Sequence, residues 1–229
     1  MSEKKFTEVD SSELVIAKAK DFWGKYGKML TIASIVVILV GGGYYAYSNF
    51  VVKPKEAKAA ELMFKAEEYY RMDSLQKALN GDGLYAGFLK VIDQYGGTDA
   101  GNMANFYAGA CYVKLNENEK AIKYLKKFSS DSKALNARAY RLLGDAYADM
   151  NQSKEAFDYY KKAGHTFESD EPFSADCLFM AAYLAHKVLN DPASAIELYK
   201  EVKQKYPRTQ QGFDADNYLA QLGVYKTEN

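Results

Sequence analysis

An all-α fold is what this 229-residue sequence predicts: a solenoid of about three to four helical hairpins with a capping helix, preceded by a single transmembrane helix. Three observations carry that expectation. The middle of the chain matches itself at an offset of 35 residues, with Gly109, Tyr112, Asn116, Ala121, Tyr124, Lys126 and Lys127 recurring as Gly144, Tyr147, Asn151, Ala156, Tyr159, Lys161 and Lys162. A period in the mid-thirties with small and aromatic residues at fixed offsets marks a helix pair that stacks on its neighbours to bury its apolar face. Residues 29–52 are a run of 24 without a charge. Finally, the four prolines, Pro54, Pro172, Pro192 and Pro207, stand where helices are expected to begin or end, as a helical stack requires.

The N-terminal elements come first. Residues 1–28 read as a short polar tail carrying Lys18, Lys20, Lys25 and Lys28, and residues 29–52 as the span. At about 1.5 Å per residue the span exceeds the ~30 Å hydrocarbon core, so one tilted crossing suffices. Tyr44, Tyr45, Tyr47 and Phe50 gather at its far end, where aromatic rings favour the interface. Gly41, Gly42, Gly43 and Ala46 offer a small-residue face against which a partner span can pack. The rival reading is a cleaved signal peptide, with residues 30–40 as its apolar region and Ala46-Tyr47-Ser48 as its cleavage site. Against it, 28 residues precede the span and the apolar run continues past Ser48, so a retained anchor is expected. Lys53, Lys55 and Lys58 follow the span and leave the positive-inside rule nearly balanced. The short basic tail then favours a cytosolic N-terminus and, in a bacterial inner membrane, a periplasmic repeat domain.

The repeats fill residues 53–229. Gly109 and Gly144 precede Tyr112 and Tyr147 by one helical turn, so glycine and ring share a face and the glycine admits a close neighbouring helix. Nine residues after each tyrosine comes Ala121 or Ala156, and four further on Leu125 or Tyr160, one turn along a second helix. Short polar turns at residues 116–119 and 151–154 join the two helices. This pattern resembles the tetratricopeptide repeat, whose large residue, Leu-Gly-x-x-Tyr, Ala, aromatic and Ala are met by Tyr140, Leu143, Gly144, Tyr147, Ala156, Tyr160 and Ala163.

On that resemblance the domain divides into a degenerate repeat at 55–98, repeats at 102–135, 137–170 and 175–209, and a capping helix at 210–222. The unit at 102–135 departs from the pattern where Asn105 and Phe128 stand at positions usually large and small. The unit at 175–209 keeps Ala195, Tyr199 and Pro207, and carries one extra residue before Pro192. In the degenerate unit, helices are expected at 61–71 and 84–95 around an insertion at Asn80-Gly81-Asp82-Gly83. Its ending, Gln94-Tyr95-Gly96-Gly97-Thr98, parallels Lys205-Tyr206-Pro207-Arg208-Thr209.

The resemblance also implies a groove, because the first helices of tetratricopeptide repeats line the concave face. Met103, Phe106, Tyr107, Ala110 and Lys114 then face inward from one unit, and Arg138, Arg141, Leu142, Asp145 and Asp149 from the next. The third presents Phe179, Met180, Tyr183 and Lys187. Rings beside readily repacked methionines suit hydrophobic segments of varied sequence, although the same rings also suit core between repeats. The Lys and Asn set that clamps a C-terminal carboxylate in some repeat co-chaperones is not visible.

Composition narrows the function. Basic and acidic residues balance at 30 each, and residues 53–229 hold 24 against 25, so there is no nucleic-acid footprint. No polybasic patch for lipid headgroups is evident either. Cys111 and Cys177 fall in apolar stretches of first helices and read as free buried thiols. His165 and His186 lack Cys or carboxylate partners at metal spacing, and residues 80–83 read as a turn, lacking the spaced carboxylates of a calcium loop. With no convergent acid, base or nucleophile, a protein without catalytic activity, cofactor, metal or small-molecule substrate is expected.

The whole layout resembles the YfgM-like ancillary subunits of the bacterial SecYEG translocon, and the insertion at Ala78-Leu79-Asn80-Gly81 with Gly87-Phe88 is similar to such repeat proteins in Bacteroidetes. That resemblance implies an adaptor contacting SecYEG translocon subunits, nascent secreted chains or periplasmic chaperones. Two alternatives stay open: a scaffold for cell-envelope or outer-membrane protein assembly, and a soluble periplasmic peptide binder if the span is cleaved.

Overall fold

A computed structural model describes residues 11–224, whose backbone falls into two compact units divided after Pro54. Residues 1–10 of the expected tail and 225–229 of the repeat domain lie outside the described residues.

The first unit contains α1 (Ser11–Tyr47) and a π-helical turn, Ser48–Val52. The described part of the tail is therefore helical. Its Leu, Ala and Lys residues favour helix, and Gly24 and Gly27 weaken it most. Among the described residues, one helical stretch is long and apolar enough to cross a membrane, and its side chains from 31 to 47 are exposed. The hydroxyls of Thr31 and Ser34 donate to the Gly27 and Leu30 carbonyls, so neither is left bare within the apolar run. The π turn has a covalent cause. Pro54 has no N–H to give to the residue four before it, and the Lys53 N–H reaches back five residues to the Ser48 carbonyl.

The second unit is all helical among its described residues. Helix α2 (Lys53–Arg71) is followed by a broken partner, α3 (Leu75–Asn80) and α4 (Phe88–Tyr95). Three hairpins come next: α5 (Asp99–Lys114) with α6 (Asn118–Leu125), α7 (Lys133–Asp149) with α8 (Ser153–Thr166), and α9 (Glu171–Lys187) with α10 (Pro192–Lys205). Helix α11 (Gln210–Gln221) packs on α9 and α10.

Each hairpin turns on a left-handed residue: Asp73, Asn116, Asn151 and Asn190 have φ of 57°, 57°, 59° and 53°. Asn and Asp tolerate this region better than other residues with a Cβ. In the first three, the following N–H closes on a carbonyl five residues back, Ser74 on Tyr69, Glu117 on Tyr112 and Gln152 on Tyr147, each at 2.9 Å. The extra residue before Pro192 alters the fourth, where Leu189 takes the Leu184 carbonyl and Asp191 that of Ala185. First helices start on side-chain caps: Thr98, Ser132, Asp170 and Thr209 accept from the N–H three residues on.

The 35-residue match becomes packing. A Cβ on Gly109 would lie 2.4 Å from Leu125 Cγ, and one on Gly144 2.6 Å from the Tyr160 ring. Tyr112 stacks on Tyr124 with centroids 5.5 Å apart, and Tyr147 on Tyr159 at 5.4 Å.

The degenerate unit differs from its expected outline. The second helix begins at Phe88, not at residue 84, and Leu75–Asn80 adds a helix of its own, burying Leu75, Ala78 and Leu79. The cause is Asp82, whose Oδ1 accepts from the Leu84 and Tyr85 N–H groups at 3.0 and 2.8 Å, holding the insertion as a turn. Gly81 and Gly83 have φ of 83° and 92°, which no helix accommodates.

Candidate functional site

An open cleft of about 940 Å³ lies beside α2 and α5. Ala60, Met63 and Glu67 recur at helical spacing along one face of α2. Asn102 and Met103 come from α5, and Phe128, Ser129, Ser130 and Asp131 from the loop between α6 and α7.

That loop is held at its middle by asparagine amides from the helices on either side. Asn102 donates to the Ser129 carbonyl at 2.7 Å and accepts from the Ser129 N–H at 3.2 Å. Asn136 does the same for Ser130, at 2.6 and 3.1 Å. On the other side, Glu56 accepts from the Asp99 and Ala100 N–H groups at 2.9 and 2.8 Å. A carboxylate from α2 thereby meets the positive end of the α5 dipole. The cleft lining combines Met63, Met103 and Phe128 with the carboxylates of Glu67, Asp99 and Asp131, and contains no lysine or arginine. Physically, such a lining suits a segment with both apolar and basic side chains.

The groove residues expected from the sequence do not converge here. Met103 alone lines the cleft. Phe106 packs on Phe128 with centroids 5.2 Å apart, and Tyr107 stacks on Phe88 and meets Tyr70 edge-on. Lys114 pairs with Asp73 at 2.8 Å, and Arg138 lies 3.9 Å from Asp170. Phe179 is edge-on to Tyr199 and Tyr218, Tyr183 lies beside Tyr218, and Met180 is half-buried against the core. In the span, a Cβ on Gly41, Gly42 or Gly43 would meet nothing within 4 Å, and Ala46 is exposed.

Arg141 and Asp145 belong to a polar chain that crosses the stack. Tyr160 of α8 donates to Asp145 at 2.7 Å, Arg141 donates to Asp145 at 3.0 Å and to Asp176 of α9, and Gln211 of α11 donates to Asp176 at 3.1 Å. Burial works against the Arg141 charge, but the two carboxylates outweigh it and raise its pKa. Burial and then Asp145 raise the Tyr160 hydroxyl, which stays a donor.

Cys111 and Cys177 are free and buried, and burial pushes their thiols up to about 12 and about 11. His165 does have carboxylate neighbours: it, Glu168 and Glu201 bring ligand atoms within 4.8 Å of one another. Glu168 is only three residues on in the sequence, whereas Glu201 arrives from α10 through the fold. Lys205 Nζ stands 3.0 Å from both Glu168 and Glu201 and supplies the positive charge there.

Stacked helix pairs with an open cleft along first-helix side chains define a helical-repeat scaffold. Residues 20–139, over half of the chain, match the family of tetratricopeptide repeat-like domains, and residues 176–209 match a tetratricopeptide repeat. The chain belongs to the tetratricopeptide repeat-like domain family. No curated protein matches it. Domains of this kind imply protein partners.

Sequence reasoning misses Met63, Glu67, Phe128 and Asp131 as cleft residues, and Asp176 and Gln211 as network partners. The one available signal is the 3.6-residue spacing of Ala60, Met63 and Glu67; the rest depends on where the insertion and the loops come to lie.

Proposed function

We propose that the protein is a membrane-anchored, non-catalytic adaptor associated with a translocon, retained by residues 29–52, with its repeat domain on the periplasmic side contacting secreted chains or their chaperones. The cleft beside Met103 carries the proposal, since methionines and a phenylalanine among carboxylates suit emerging chains that present apolar and basic residues together. Gly41, Gly42, Gly43 and Ala46 supply the face through which the anchor packs on a channel helix. Concave residues including Met103 and Arg138 extend the contact surface.

The test places a photoreactive side chain at position 103 of the full-length protein in its native membrane. Adducts with channel subunits or translocating chains are expected, and they disappear when Glu67 and Asp131 are both changed to lysine. Adducts confined to envelope-assembly proteins would move the function to scaffolding of that machinery.

A further inference from the structure

Residues 14–28 of α1 precede both the uncharged span and the helical hairpins. At roughly 100° per helical residue, Val15, Phe22, Trp23 and Tyr26, with Met29 and Leu30 beyond them, occupy about 120° of arc. Lys18, Lys20, Lys25 and Lys28 lie on the remaining arc, accompanied between residues 14 and 28 by one acidic residue, Asp21, and by Leu14. The lysines form no run in the sequence because aromatic residues alternate with them; the helix separates the two sets.

The aromatic side is a formed surface. The Phe22 and Tyr26 rings lie 5.1 Å apart across one turn. The Trp23 ring covers Gly27, 3.3 Å from where a Cβ would stand. Trp23 is nonetheless 65% exposed, so a large apolar ring with one polar N–H is left for an environment that is apolar on one side and wet on the other.

Standing upright on the span, the segment would carry Val15 about 20 Å beyond Met29 into water. Laid along the interface it buries the aromatic face and sets the lysines at headgroup level, their carbon stems lying over the apolar boundary. Gly24 and Gly27, at the junction with the span, lower the cost of the bend this needs. A second copy packed on the same face would bring lysine near lysine, whereas an anionic surface complements them.

We propose that residues 14–28 are an interfacial segment that binds an anionic lipid surface through Lys18, Lys20, Lys25 and Lys28, seated by Phe22, Trp23 and Tyr26. The proposal rests on the reading of residues 29–52 as a retained span. Trp23 is the only tryptophan in the chain, so its fluorescence reports this segment in the unlabelled full-length protein. The protein is reconstituted into phosphatidylcholine vesicles with and without phosphatidylglycerol, using lipids brominated at shallow acyl positions as quenchers. The expected result is a blue shift and stronger quenching in the anionic vesicles, with that difference lost in the K18Q/K20Q/K25Q/K28Q variant while the variant still floats with the vesicles. Identical emission and quenching in the two lipids overturns the proposal, as does a variant that behaves like the native chain. Blue-shifted emission that brominated lipid does not quench also overturns it, and assigns the face to a protein partner. A native chain that fails to float overturns the retained span itself, an outcome distinct from the other three.

Discussion

Gly144 sets how closely α7 and α8 approach, because the space a side chain would fill there is held by Tyr160. Gly144→Ala is expected to destabilise the domain by about 1–3 kcal/mol through overpacking, seen as a lower denaturation midpoint. Gly41→Ala, where a Cβ meets nothing, should leave the repeat domain unchanged. Asp82 makes a different point at the same scale. Its carboxylate accepts from Tyr69 and from the Leu84 and Tyr85 backbone, and these bonds lower its pKa to about 2. A carboxyl depressed on folding stabilises above its unfolded value, near 4, and loses that contribution as pH falls toward its folded one. The insertion should therefore be fully held at neutral pH and loosen from about pH 4 down to about 2. A carboxyl NMR titration of Asp82 with a midpoint at its ordinary value would contradict this.

Among elements, the joints and the insertion at residues 80–83 are readable, and the short helix before that insertion is not. Asn116 and Asn151 announce their turns because a left-handed residue at a helix end favours asparagine. Helix α3 escapes detection because it is only six residues long, and periodicity says little over so short a stretch. The groove residues could be placed on first helices by period, but whether Phe106 meets solvent or Phe128 depends on the large residue that unit carries after its second helix. Asn105 and Phe128 replace Tyr140 and Ala163 of the next unit, moving bulk from one helix to the far end of the hairpin. The Arg141 chain was half visible: Arg141 and Asp145 are four apart on α7, while Asp176 arrives from α9. Asp176→Ala should cost about 1 kcal/mol, since the pair is partly exposed. A double-mutant cycle with Arg141→Ala that returns no coupling would show that the bridge between repeats carries no energy.

For the whole molecule, stability in a stack is a sum over neighbours, and an end left uncovered exposes apolar surface. Helix α11 supplies Ala215 and Leu219 to the core and lays Tyr218 against Tyr199 at 5.2 Å. A chain stopped after residue 209 is expected to melt lower and to scatter light on heating, and an unchanged melt would mean that α11 is not the cap. The connections that enter α5 and α11 have the same construction. Thr98 and Thr209 donate to the Tyr95 and Tyr206 carbonyls at 2.7 and 2.8 Å and accept from the Gly101 and Gly212 N–H groups. In both, a Cβ on the glycine would strike the tyrosine carbonyl oxygen, at 2.0 and 2.2 Å. The two junctions are thus interchangeable couplings: excising residues 98–208 and joining Gly97 to Thr209 would recreate the same clasp, with Gly212 against Tyr95. Nothing in that clasp counts hairpins, so its bonds set no limit of their own on how many whole units stand between two such joints.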